Sequence, residues 1–217
     1  MAIDVKDNRY EVAHALLSVE AVTLSPDKPY HYSKGGIGPC YCDNRLLLGY
    51  PRERSLITGL FTEKIRREGY DVIAGTATAG IPWAAFVAER LGKPMIYVRG
   101  EAKQHGKKSR IEGPLSPGQS VVLLEDLINS GGSSVAAVEA IREAGGIVKE
   151  CIAIVTYGLK EAEEVFRQAD CKLDTLTNIG ILLDVALQER KITPQQRDLV
   201  LRWQQDPKGW AKKEGFA

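Results

Sequence analysis

VVLLEDLINSGGSS, residues 121–134, sets four apolar residues before two adjacent acids, Glu125 and Asp126. Leu127, Ile128 and the small polar run Asn129-Ser130-Gly131-Gly132-Ser133 follow. The continuation, VAAVEAIREAGG, is a helix-forming run that closes on a glycine pair. Read physically, a buried strand ends in two carboxylates, and a loop of bare backbone N–H groups leads into a helix N-terminus. Carboxylates accept hydrogen bonds from vicinal hydroxyls. Loop amides and the positive end of a helix receive a phosphate. The segment therefore suits a sugar phosphate. It is not a Walker A loop, because no Gly-Lys-Ser/Thr occurs there, and the acids precede the glycines, unlike the dinucleotide-binding fingerprint.

Outward from this segment, strands and helices alternate. RERSLITGLFTEKIRREG reads as a helix ending at Gly69, DVIAG (71–75) as a strand, and IPWAAFVAERLG (81–92) as a helix capped by Gly92. PMIYVR (94–99), SVVLLE (120–125), CIAIVTYG (151–158) and KLDTLTN (172–178) read as strands, with KEAEEVFRQA a helix between the last two. Two helices near 179–190 and 194–206 close the chain. Residues 4–21 suit an amphipathic helix, whereas the prolines, glycines and tyrosines of 22–50 suit short strands. The expectation is an α/β fold, a parallel five-stranded sheet flanked by helices, with a small N-terminal β-rich hood. The whole of 1–217 reads as one domain: residues 1–50 helix and hood, 51–190 the α/β core, 191–217 a C-terminal helix and tail. Ligands in such sheets bind beyond the strand C-termini, and Gly75, Arg99 and Glu125 are each expected just past a strand.

Composition narrows the function classes. The 217 residues carry 29 basic and 28 acidic side chains, a net charge of +1. That balance gives no support to nucleic acid or an anionic membrane as a partner. The N-terminus is charged, without the apolar centre of a signal peptide, and no apolar run reaches membrane-spanning length; a cytoplasmic protein is expected. The four cysteines, Cys40, Cys42, Cys151 and Cys171, are not spaced as metal ligands, and only three histidines exist. Ordinary thiols are the expectation.

Three further segments give the pattern a family. GTATAGIP (75–82) follows an apolar strand, YVRGEAKQHGKKSRIEG spans 97–113, and PCYCDNR lies upstream at 39–45. With VVLLEDLINSGGSS, these resemble the type I phosphoribosyltransferases, and among them the bacterial orotate branch, over nearly the whole chain. The resemblance implies transfer of 5-phosphoribosyl from PRPP (5-phosphoribosyl 1-diphosphate) to orotate, giving orotidine 5′-phosphate and pyrophosphate in pyrimidine biosynthesis.

It also implies roles. Glu125 and Asp126 would bond the ribose 2- and 3-hydroxyls, with Asp126 helping to stabilise the oxocarbenium-like state. Leu127, Ile128, Asn129, Ser130, Gly131, Gly132 and Ser133 would complete the PRPP site, the 5-phosphate taken by loop amides and the Ser130 and Ser133 hydroxyls. Asn129 would also contact orotate. Thr76, Ala77, Thr78, Ala79 and Gly80 would cradle pyrophosphate. Arg99, Lys103 and His105 would hold the leaving group, Lys103 stabilising its charge and His105 donating to it. The basic stretch from Gly100 to Gly118 is a lid candidate, and the family implies a homodimer in which this loop reaches the neighbouring subunit's site. Mg2+ would accompany the substrate, held mainly by PRPP and water rather than by a protein ligand set.

The sequence departs from the family's common pattern at several places. Ala79 stands where many members carry lysine, and Gly100 where many carry a second basic residue. VTYGLK, with Tyr157, replaces an arginine after the fourth strand that often binds the orotate carboxylate. In the hood, Ile37 occupies a common lysine position, the nearest lysine being Lys34. Two alternatives therefore stand beside the orotate reading: the same chemistry on another nucleobase, with Tyr30, Tyr32 or Tyr41 stacking on a purine, and a PRPP-sensing regulator of the same fold. Orotate N1 is a competent nucleophile once deprotonated, so no Ser/His/Asp triad is required.

Overall fold

The computed structural model describes residues 7–32, 35–100 and 110–217. Helix α1 (Asn8–Ser18) opens on Asp7, whose carboxylate accepts from Arg9 N at 3.0 Å. It is shorter than the sequence pattern suggests, because the chain turns at Glu20, where φ is +57°. The hood consists of two short antiparallel pairs. Strand β1 (Val22–Leu24) pairs with β4 (Cys40–Cys42), and β2 (Tyr30–His31) with β3 (Ile37–Gly38). The interleaved prolines and glycines keep these strands to two or three residues. A 3₁₀ helix over Asn44–Gly49 then leads into α2 (Pro51–Glu68), which starts on proline and stops at Gly69 with φ +73°.

Alternation of strand and helix builds the core. In order come β5 (Val72–Thr76), α3 (Gly80–Leu91), β6 (Met95–Val98), β7 (Ile111–Glu112), β8 (Ser120–Ile128), α4 (Gly132–Glu143), β9 (Ile147–Thr156), α5 (Lys160–Gln168) and β10 (Lys172–Asn178). Helices α6 (Ile179–Gln188), α7 (Pro194–Gln205) and α8 (Trp210–Lys213) complete the chain. The sheet order is β10-β9-β8-β5-β6-β7. The five expected strands are parallel; the sixth, β7, runs antiparallel to β6 at the edge. Two residues are too few to carry an alternating pattern, which is why β7 is not visible in the sequence.

Side chains alternate between two apolar layers. Ile73, Val122, Leu124, Ile152 and Ile154 pack with α1–α3 and the C-terminal helices, around Phe61, Trp83 and Trp210. Val72, Ala74, Val121, Leu123, Cys151 and Ala153 pack with Val138 and Ile141 of α4 and Phe166 of α5. Burial on both faces explains the unbroken apolar run at 121–124. From β5 the chain moves outward to β6; β8, β9 and β10 then fill the other side. The order therefore reverses between β5 and β8, and a crevice opens there beyond the strand C-termini.

Candidate active site

The paired acids sit one step deeper than the sequence suggests. Rather than ending at Glu125, β8 continues to Ile128, because β9 runs alongside it to Thr156. Pairing with β5 stops at Gly75↔Leu124, so beyond Leu124 the strand has a neighbour on one side only. Side chains take over on the open side. Asp126 N donates to Glu125 Oε1 at 3.1 Å, and the Asp126 carbonyl accepts from Asn44 Nδ2 at 2.8 Å. Gly75 and Glu125 thus lie within their strands, and of the three rim residues expected past a strand only Arg99 lies beyond one.

The two acids differ in setting. Glu125 is buried, and its Oε2 accepts from Ser134 Oγ at 3.1 Å. Burial, reinforced by the adjacent Asp126 carboxyl, pushes it up to about 8. Asp126 is half-buried and lies against Glu125. Burial raises it as well, while hydrogen bonds and the charge of Arg45 act in the opposite sense. Burial therefore favours a proton on the pair, most strongly at Glu125.

The loop after β8 is three residues long. Asn129 is exposed, Ser130 half-buried, and Gly131 takes φ +81° as the N-cap residue of α4. A Cβ on Gly131 would come within 3.0 Å of Phe166 and Val165, so glycine is required by backbone and space together. Gly132 and Ser133 are exposed in the first helical turn, and no side chain caps it. Its leading amides are therefore available to an anion.

Across the crevice, Thr76–Gly80 joins β5 to α3. The Ala77–Thr78 peptide is cis. Ala77 N donates to Val98 O at 2.8 Å, which binds this turn to the end of β6. A Cβ on Gly75 would lie 2.7 Å from Gly80 O, and one on Gly80 would lie 2.5 Å from Leu124 O. Backbone thus packs on backbone, drawing the turn against β8. Thr76 Oγ1 is buried without a hydrogen-bond partner among the described residues, and α3, like α4, begins without a side-chain cap. Two helix N-termini face one crevice.

Arg99 stands at the end of β6, half-buried, with Nη1 3.4 Å from Glu112 Oε1. Its N–H donates to Arg110 O at 2.8 Å, and Arg110 Nε donates to Arg99 O at 3.0 Å. The basic segment thus leaves and rejoins the sheet at one clamp. Lys103 and His105 lie outside the described residues, as does Lys34.

A cavity of about 760 Å³ adjoins the loop after β8, a size suited to a small ligand. Asn129 and Ser130 line it together with Ile37 of the hood, Leu159, Lys160 and Trp203. Tyr157 is buried and meets Trp203 edge-on at 5.4 Å, making it a core residue. Tyr30 and Tyr32 are committed within the hood, donating to Thr23 Oγ1 at 2.9 Å and to Cys40 O at 2.6 Å, while Tyr41 rests on Tyr30. Sequence reasoning missed Asn44, Lys160 and the wall supplied by α7 and α8. Asn44 was in view within PCYCDNR, but nothing local marked it as the residue that turns inward.

A doubly wound sheet with sugar-suited acids, two open helix N-termini and a glycine-packed turn at its switch point defines a phosphoribosyl-binding class of α/β protein. Residues 49–190 match the family model described as phosphoribosyl transferase domain. The orotate phosphoribosyltransferase of Listeria monocytogenes is 48% identical over 204 residues, covering 93% of this chain and 98% of that one. That of Staphylococcus saprophyticus is 50% identical, covering 88% and 96%. The crystal structure of orotate phosphoribosyltransferase from Aeropyrum pernix superposes with a TM-score of 0.70 at 31% identity, covering 80% of this chain and 96% of its own. The chain belongs to the orotate phosphoribosyltransferase family. Among the described residues, no helix is long and apolar enough to cross a membrane.

Proposed function

We propose that this protein transfers the 5-phosphoribosyl group of PRPP to N1 of orotate, giving orotidine 5′-phosphate and pyrophosphate in pyrimidine biosynthesis. The bond from C1 to the diphosphate oxygen breaks, the C1–N1 bond forms, and pyrophosphate leaves with the electron pair. The observation that carries this reading is the crevice between β5 and β8, where the paired acids lie between two helix N-termini without side-chain caps. Asp126 accepts from the ring hydroxyls and balances positive charge on the ribose. The amides of 130–133 take the 5-phosphate. The amides of 76–80 and Arg99 take the diphosphate, with Lys103 and His105 adding cationic donors as it departs.

The orotate carboxylate is assigned to Lys160. This exposed lysine lines the cavity that Asn129 and Ser130 also line. The donors around the crevice are hydroxyls, carboxyls and backbone groups. Cys42, near Asp126, is held well above its ordinary value by burial and so remains a thiol. This set fits a hard cation held through phosphate oxygens and water. Mg2+ so held would neutralise the diphosphate. A homodimer whose lid loop reaches the neighbouring site, and a cytoplasmic location, belong to the same proposal.

The test is the loss of orotate absorbance with PRPP and Mg2+, run beside hypoxanthine, adenine and uracil. Turnover with orotate alone is expected. Turnover with another base and none with orotate would overturn the assignment.

A further inference from the structure

Asn44 lies between Asp43 and Arg45, which pair with each other near the surface, Arg45 Nε to Asp43 Oδ1 at 2.6 Å. Asn44 itself is 0% exposed. Its Nδ2 donates to the Asp126 carbonyl at 2.8 Å, and its Oδ1 is buried without a partner among the described residues. Burying that oxygen without a partner costs free energy, which the single bond to the Asp126 carbonyl offsets only in part. Its position is informative. The carbonyl it holds lies where β8 has lost β5 and has no ladder on that side. Glu125 holds the Asp126 N–H from within the strand. Both backbone groups of Asp126 are thereby fixed by side chains, one from the core and one from the hood.

We propose that Asn44 is a positioning residue for sugar recognition. By fixing the Asp126 peptide it aims the Asp126 carboxylate at the ring hydroxyls and ties the hood to that aim. The inference rests on the reading above that Asp126 accepts from ribose.

The experiment compares binding of ribose 5-phosphate with that of 2-deoxyribose 5-phosphate, by competition, for wild type, Asn44→Leu, Asn44→Asp and Asp126→Asn. A ratio of two affinities on one preparation does not depend on the fraction folded. Asn44→Asp keeps the side-chain volume should Asn44→Leu fold poorly. Wild type is expected to prefer ribose by about tenfold, the scale of one good hydrogen bond. Asp126→Asn should abolish the preference, and both Asn44 variants should cut it by about fivefold or more, while inorganic phosphate binds unchanged. Full preference in both Asn44 variants would overturn the proposal. Absence of any preference in wild type would instead overturn the ribose assignment of Asp126, and the inference with it.

Discussion

Single residues in this protein divide between those that set charge and those that set shape. Lys103→Ala, on the leaving-group assignment, should lower kcat by about 10²–10⁴-fold, the scale of one transition-state cation or proton donor, with a smaller change in PRPP affinity. Steady-state kinetics would show this, and near-wild-type turnover would remove Lys103 from the mechanism. Lys160→Met should raise the KM for orotate about tenfold, the loss of one charge-assisted hydrogen bond, and leave the KM for PRPP unchanged. An unchanged orotate KM would send the carboxylate elsewhere. Tyr157 shows why such assignments need the fold. In sequence it stands where an arginine is often found, yet it packs against Trp203 in the core. A motif gives residue order but not which face of the chain turns inward.

Elements were more legible than their ends. The 121–134 segment announced strand, loop and helix, and the expected bounds of β10 hold. The strand end was misjudged by three residues, because two carboxylates look like a terminus in sequence while β9 sustains the ladder beyond them. Edge strand β7 was too short to register, and the contribution of α7 and α8 to the cavity depends on packing between distant parts of the chain. The turn into α4 permits a direct check. At Gly131 a side chain would meet both a left-handed backbone and the Phe166 ring. Gly131→Ala should cost about 1–3 kcal/mol of stability and weaken phosphate binding. Urea denaturation with phosphate titration measures both, and a neutral result would mean the loop takes another conformation.

Over the whole molecule, the buried acid pair links stability to pH. The carboxyl of Glu125 moves from an ordinary value of 4.5 to about 8 on folding. Between those values the native state keeps a proton that the unfolded chain has released. Stability should therefore fall as pH rises through that window and level off above it. Glu125→Gln, neutral throughout, should flatten the decline, so that the variant gains on wild type from about pH 5 to pH 8 in urea melts. Parallel curves would show that burial does not hold this proton. The clamp between Arg99 and Arg110 acts on the same scale, since two hydrogen bonds, of 2.8 and 3.0 Å, close the excursion between β6 and β7 at its root. Closure entropy grows only by roughly 0.6 kcal/mol for each doubling of such a span. The scaffold is thus nearly indifferent to what is threaded between those two arginines, and grafting a longer or shorter catalytic insert there would alter chemistry while leaving the sheet's foundations untouched.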